Sequence, residues 1–372
     1  MKTDEKIMFH LALAQVEGIG GILHRQLVHV FGSPEAVFNA SVEQLRKVTG
    51  IGEQTAVRIR RKNQWIDLAQ KQLEALHKEG VAVFSYACSQ YPNRLIPNYD
   101  SPAILFSKGK NIDLNASKTV AIVGTRKSTA YGQEMTQRIV RELQSLQPTI
   151  VSGLALGIDS LAHQTALECQ LPTIAVLANG LDTIYPAAHR KMADKMLENG
   201  GLVSESPLGM KPIASLFLAR NRIIAGLSDV CILVESAQRG GGMVTVEFAN
   251  NYHKEVFAVP GLVTNKVAEG PHGLIKKNKA QIYTCVEDLV ELLQWDGSKI
   301  TKEAGQQHPL DFSTFSEEEA AVIRQLAKYD SVHIDKLSWE VGIPQNRIAG
   351  VLLQLEFQGF VNVLPGKKFK LK

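Results

Sequence analysis

The stretch Thr119-Val120-Ala121-Ile122-Val123-Gly124-Thr125-Arg126 decides the fold. An unbroken apolar and β-branched run has the character of a strand buried on both faces, because a strand with one wet face alternates polar and apolar positions. The glycine, hydroxyl and basic residue that follow turn the chain onto a helix beginning near Tyr131, so the unit reads strand, loop, helix. The same punctuation recurs downstream: Ser152-Gly153-Leu154-Ala155-Leu156-Gly157-Ile158-Asp159, Asn179-Gly180-Leu181-Asp182, Arg220-Asn221-Arg222 and Gly240-Gly241-Gly242-Met243-Val244-Thr245. Strands are expected near 119–123, 149–152, 173–178, 201–204, 229–235 and 255–259, separated by helical segments as long as parallel crossovers require. In a parallel α/β sheet the strand-to-helix loops all fall on one edge, so these segments are expected to converge on one crevice of bare backbone N–H groups, helix N-termini and guanidinium groups. Such a crevice is an anion site, and its repetition points to a ligand with several phosphates.

The chain has 372 residues, 45% of them hydrophobic, enough material for two or three domains with ordinary cores. No apolar stretch reaches the roughly 18 residues of a membrane span, and the opening MKTDEKIMFHLALAQVEG lacks the apolar region and cleavage site of a signal peptide. A cytoplasmic location, away from membranes, is expected. Cys88, Cys169, Cys231 and Cys285 lie far apart with no CxxC and no His pair beside them, so they are expected to be reduced thiols, and no metal site is expected. The net charge of +4 neither requires nor excludes a polyanionic partner.

Residues 1–75 read as a helical domain. Val16-Glu17-Gly18-Ile19-Gly20 and Val48-Thr49-Gly50-Ile51-Gly52 repeat one turn, the signature of a tandem helix-hairpin-helix, and Arg58, Arg60, Arg61 and Lys62 follow the second copy. The same turn is also a compact helix–helix connection, and the sequence leaves DNA contact and packing open. Within 76–295, VAVFSY and AILFSKG are strand-like runs around the Pro-rich segment 91–102, expected to extend the edge of the sheet. Residues 296–315 are polar, with Gly and Pro and no periodicity, and read as a linker. In 316–372, a capping box at Ser316–Glu319 opens the first of three helices, and a hairpin around Pro365-Gly366 closes a winged helix.

Gly124, Thr125, Arg126 and Ser128 follow the first central strand and are expected to face a phosphate together. Ser152 and Gly153 take the same reading, whereas Asp159 and His163 are expected to be a helix cap and a satisfied helix residue. Arg220, Asn221 and Arg222 are expected at the N-terminal end of a short helix, where cations oppose the helix dipole unless an anion is bound. Phe217 offers a ring for a base, and Gly240, Gly241 and Gly242 offer bare amides. GxGxxG and GxxxxGK[ST] are both missing, which speaks against a dinucleotide and against P-loop hydrolysis; no cofactor is expected.

VGTR, SGLALGIDSLAH, IAVLANGLDTIYP, the Arg220–Ser228 run and EVFAVPG together resemble the DNA-processing protein A family, also called DprA or Smf. The resemblance covers Val120 to Gly261 and extends to the flanking domains. It implies an extended Rossmann-like parallel sheet between a helix-hairpin-helix (SAM-like) domain and a winged helix. It further implies a cytoplasmic, non-enzymatic mediator that binds single-stranded DNA, forms a homodimer through the α/β domain near His272–Tyr283, and helps load the RecA recombinase during DNA uptake and natural transformation. Carried over by motif, Arg126, Phe217, Arg220 and Arg222 line the DNA groove, while the loops at Ser152-Gly153 and Gly240–Gly242 hold phosphates. Family members often have Arg-Ser-Gly-Ser where this chain has Arg239-Gly240-Gly241-Gly242-Met243, so amides replace hydroxyls there. Ala187-Ala188 stand where a basic residue is common, which shifts the contact to Arg190 or Lys191.

A second reading comes from a different class. Gly240 to Glu247 is similar to the PGGxGTxxE pattern of lysine-decarboxylase-like phosphoribohydrolases, in which the Glu, here Glu247, assists cleavage of a nucleoside monophosphate. The chain lacks that Pro and has Met243-Val244 within the loop, so this nucleotide-processing reading ranks second.

Overall fold

The computed structural model describes residues 2–295 and 315–371 except 330, 359 and 365. It divides into two compact units, Met1–Ile300 and Thr301–Lys372. The expected linker at 296–315 lies, apart from Phe315, outside the described residues, as does Pro365 of the expected hairpin.

The first unit opens with helices α1 (Lys2–Ala14), α2 (Gly21–Phe31), α3 (Pro34–Asn39), α4 (Val42–Arg46), α5 (Glu53–Ile59) and α6 (Lys62–Lys78). Local chemistry sets their ends. Ser33 caps α3 ahead of Pro34, Ser41 and Gln44 form a capping box on α4, and Gly32 ends α2 at φ +85°. The two Gly-Ile-Gly turns do form a tandem. Gly18 and Gly50 both sit at φ +90°, and each lies against a side chain of the helix that follows the other turn, Thr55 at Gly18 and Leu23 at Gly50.

The expected edge at 75–76 falls inside α6. Leu13, Leu27, Phe38 and Leu76 share one hydrophobic cluster with Phe106, Ala175 and Leu202, so the helical segment covers part of one face of the sheet.

That sheet contains β1 (Ala82–Ser85), β2 (Ile104–Lys108), β3 (Thr119–Val123), β4 (Thr149–Ser152), β5 (Thr173–Leu177), β6 (Gly200–Ser204), β7 (Val230–Leu233), β8 (Glu255–Ala258) and β9 (Gln281–Ile282). Among the described residues the order is β1-β2-β6-β5-β4-β3-β7-β8-β9; the β1–β2 and β2–β6 pairs are antiparallel and the rest parallel. The two strand-like runs before Thr119 therefore extend one edge, as their composition predicts. All five residues of β3 are buried, Val120 and Ile122 against one layer and Ala121 and Val123 against the other. Burying each of the larger side chains contributes roughly 1.5–3 kcal/mol.

From β3 the chain winds outward through α7 (Ala130–Glu142), β4, α8 (Ile158–Glu168), β5, α9 (Arg190–Met196) and β6. It then crosses back through α10 (Ala214–Leu227) to β7 on the far side of β3, and continues through α11 (Gly241–Asn251), β8, α12 (Glu269–Lys276) and β9 to α13 (Val286–Leu293). α7 and α8 pack on one face, α10 and α11 on the other. The strand order reverses between β3 and β7. In open α/β sheets ligands bind in the crevice outside the strand ends at such a switch point.

The second unit contains α14 (Glu317–Leu326), β10 (Val332–His333), α15 (Ile334–Val341), α16 (Gln345–Phe357), β11 (Val361–Leu364) and β12 (Lys368–Leu371), with the sheet order β10-β12-β11. Ser316 and Glu319 form the predicted capping box, and Val322, Ile323, Leu337, Ile348 and Leu355 make the core of this winged helix.

Candidate functional site

At the switch point the loops after β3, β4 and β7 and the helices α10 and α11 enclose a recess of about 340 Å³. Its walls include Gly124, Thr125, Arg126, Phe217, Arg220, Asn221, Gly240, Gly241 and Gly242, nine of the predicted site residues, together with Ala155, Asp159, Leu218, Ile224 and Thr245.

The glycines make this closeness possible. A Cβ on Gly124 would lie 2.6 Å from Ile158, one on Gly157 would lie 2.3 Å from the Thr125 carbonyl, and one on Gly242 would lie 3.2 Å from Cα of Gly124. The loops after β3 and β4 and the start of α11 thus meet backbone to backbone. Some predicted amides are spent on this packing: Thr125 N–H donates to the Glu235 carbonyl at 2.7 Å and Gly240 N–H to the Ala237 carbonyl at 3.0 Å. The first-turn amides of α11 at Gly241 and Gly242 point outward by helix geometry, and Gly240 gives that helix no side-chain cap.

Arg126 is exposed, and its guanidinium carbon stands 5.8 Å from the centroid of the Phe217 ring. Tyr185 lies beside Phe217 with ring centroids 5.6 Å apart, tilted by 57°, and is 48% exposed. Tyr185 is absent from the sequence prediction, in which it marks only the end of a loop. An aromatic residue separated from Phe217 by α9 and β6 in the chain order carries no local signal that the two rings will meet.

Two predictions about the recess are corrected. First, Arg220, Asn221 and Arg222 sit in the middle of α10, which starts at Ala214, so the expected conflict with the helix dipole does not exist. Successive helical positions rotate by about 100°, which places Arg220 and Arg222 on nearly opposite faces. Arg220 turns inward, is 5% exposed, and donates to the Gly153 carbonyl at 2.7 Å and to the Val176 carbonyl. Burial pushes its pKa down to about 10, while burial pushes the Asp159 carboxyl up and the attraction between the two works against both shifts. Arg222 turns away from the recess, pairs with Glu205 and does not line the walls.

Second, Ser152 and Gly153 are structural. The Ser152 hydroxyl is buried and donates to the Ile122 carbonyl at 2.6 Å, and a Cβ on Gly153 would lie 2.5 Å from the Arg220 guanidinium. Ser128, Arg190 and Lys191 lie outside the walls: Ser128 accepts from Gln133 at 3.4 Å, and Arg190 and Lys191 are exposed at the start of α9. Glu247 is exposed on α11 and does not line the recess either.

Asp159 and His163 depart from their reading: α8 has Gly157 as its N-cap with no side-chain hydrogen bond to it, and the buried Nε2 of His163 has no partner among the described residues. Asp159 accepts from Ala155 N–H at 3.4 Å in the first turn of α8, and His163 is fully buried with Nδ1 2.7 Å from the Thr173 hydroxyl. The four cysteines are free thiols. No described group of His, Cys, Asp and Glu is arranged to hold a metal ion, and no described helix is long and apolar enough to cross a membrane.

A mostly parallel sheet with helices on both faces and a glycine-walled, arginine-bearing recess at its switch point defines the class as an α/β protein with helical and winged-helix additions. The family model of DNA recombination-mediator protein A matches residues 82–294, a SAM-like helix-hairpin-helix tandem matches 11–62, and a DprA winged helix domain matches 306–367. The chain belongs to the DNA recombination-mediator protein A family. It is 34% identical over 328 residues to protein Smf of Escherichia coli (strain K12), covering 86% of each chain. It is 38% identical to the DNA processing protein DprA of Bacillus subtilis (strain 168) over 221 residues, 59% of this chain and 74% of that one. Among solved structures, DprA from Streptococcus pneumoniae superposes with a TM-score of 0.67 at 29% identity, covering 75% of this chain and 95% of that one. DNA processing protein A from Helicobacter pylori, described for its unique single-stranded DNA binding mode, superposes at 0.52 with 31% identity over 57% of this chain and 95% of that one.

Proposed function

We propose that the recess and its rim bind single-stranded DNA without carrying out chemistry on it. The observation that carries this reading is the rim. Tyr131, Leu156, Tyr185, Leu218, Leu262 and Val263 are between 43% and 88% exposed, and all belong to strand-to-helix loops or the first two turns after them. Exposed apolar side chains on one edge of a sheet, around an arginine and bare amides, match a ligand that presents base faces beside phosphates. A duplex hides its base faces by stacking; a single strand does not. Arg126 and the α11 amides take phosphate, and Phe217 with Tyr185 takes bases. The likeness to the Helicobacter pylori relative, described for binding single strands, supports the same assignment.

The family resemblance extends the proposal to a cytoplasmic homodimer that helps load RecA recombinase during DNA uptake. β9 is an edge strand whose Gln281 and Ile282 are exposed, beside the lysines at the end of α12, and this end of the sheet is the proposed dimer surface. Measuring the affinity of labelled single-stranded and duplex oligonucleotides tests the DNA assignment: single strands are expected to bind at least about tenfold more tightly, the value of one stacked base. Equal affinity for duplex would overturn it.

A further inference from the structure

We propose that the recess admits one nucleotide as a unit, so that free deoxynucleoside 5′-monophosphates bind there and compete with the strand; this rests on the single-strand reading of the same site. Size comes first. At about 340 Å³ the recess stands at the lower end of the roughly 300–1,000 Å³ of small-molecule pockets. One nucleotide fits inside, and the rest of a strand must lie on the rim.

The wall chemistry is that of one nucleotide with one phosphate. Two of the described wall residues are cationic, Arg126 and Arg220. Arg220 is buried, bonded to two carbonyls and opposed by Asp159. That leaves Arg126 with the Gly241 and Gly242 amides of α11, enough to hold one phosphate and short of what a polyphosphate needs. Phe217, Leu218 and Ile224 supply the apolar side for a base and sugar, and Asn221 and Thr245 supply polar groups at its edge. Additional phosphates on the ligand would meet Asp159 or solvent, with no further wall cation, so a triphosphate gains nothing over a monophosphate.

The test displaces a fluorescein-labelled dT strand from the full chain, followed by anisotropy at fixed ionic strength, with dTMP, dAMP, dTTP, thymidine and inorganic phosphate as competitors. Ligand-observed NMR reads direct binding of the same compounds. The monophosphates are expected to displace the strand. Thymidine and phosphate alone each keep one of the two contacts and are expected to need at least about tenfold higher concentration. dTTP is expected to match dTMP within about threefold, since it finds no second phosphate site. Phe217→Ala is expected to remove monophosphate binding. If the strand binds and no monophosphate binds or competes, or if phosphate competes as well as dTMP, the one-nucleotide recess is overturned while the single-strand reading stands. If monophosphates bind and the strand does not, the single-strand reading falls and the recess keeps its ligand.

Discussion

Arg126 and Arg222 are equal candidates in the sequence, and the structure places only Arg126 on the wall of the recess. Arg126 is exposed at the mouth of the recess, so Arg126→Ala is expected to weaken single-strand binding by about 1–3 kcal/mol, the value of a charge-assisted hydrogen bond, with thermal stability unchanged. Arg222 is held by Glu205 with one guanidinium nitrogen buried and unpartnered among the described residues. Arg222→Ala is therefore expected to lower the melting temperature and leave strand affinity within about twofold. Tyr185→Ala is expected to cost roughly 1 kcal/mol or more of strand affinity and Tyr185→Phe to restore it, because stacking uses the ring and not the hydroxyl. Failure of the Phe variant to bind would contradict the stacking assignment. The pattern Arg-Asn-Arg is legible as important; which arginine turns inward follows from where α10 begins, and nothing near Ala214 gives a side-chain cap that announces the start.

A further residue-scale feature lies away from the recess. His10 and His24 are buried with their ring nitrogens 3.0 Å apart and their rings stacked, and Tyr86 packs edge-on against both. Burial lowers their pKa values from 6.5 to about 4 and about 3, and burial does the same to His163. With the folded values below the unfolded ones, the unfolded chain takes up more protons as pH falls. Their contribution is complete above pH 6.5 and is lost progressively as pH falls, toward about 4 for His10 and about 3 for His24 and His163. The urea midpoint is expected to fall between pH 7 and pH 5. An unchanged midpoint would show that these imidazoles titrate normally.

At the scale of elements, the central strands were legible because each contains an apolar run, and the loops because each contains glycine; the two-residue strands β9 (Gln281–Ile282) and β10 (Val332–His333) have no such run and were not read. The sequence could not separate glycines that serve a ligand from glycines that let elements touch. Gly153 belongs to the second group: Gly153→Ala puts a methyl group 2.5 Å from the bonded guanidinium of Arg220. Overpacking of this kind costs roughly 1–3 kcal/mol of stability, measurable by urea denaturation. The hairpin turns divide in the same way. α2 starts against the Ser101–Ala103 backbone, where a Cβ on Gly21 would lie 3.2 Å from the Ser101 carbonyl, and Arg58 after the second turn faces Glu17 at 3.6 Å. A Cβ on Gly20 or Gly52 would meet nothing within 4 Å, so packing accounts for only part of the tandem; Arg58→Ala is expected to change strand affinity by less than about threefold, as for an exposed ion pair. In the winged helix, Arg347 of α16 pairs with Glu318, and Phe357 on the same helix is 84% exposed.

At the scale of the whole molecule, function follows from one topological fact. The chain leaves β3 in one direction and returns through β7 on its other side, so the loops of both windings open together at the centre of the sheet. The net charge of +4 gave no hint of this place, since the recess has one exposed arginine and depends on amides and rings for the rest. Backbone packing consumes some of what the Gly-rich loops offer, at the Thr125 and Gly240 amides.

The most direct test is equilibrium binding of a dT oligonucleotide at two salt concentrations to the native chain, Arg126→Ala and Phe217→Ala. The account predicts weaker binding in both variants, a salt slope reduced by about 0.7 in Arg126→Ala, and an unchanged slope in Phe217→Ala, because one removes a phosphate contact and the other a stacked base. Native affinity and native salt dependence in both folded variants would contradict it.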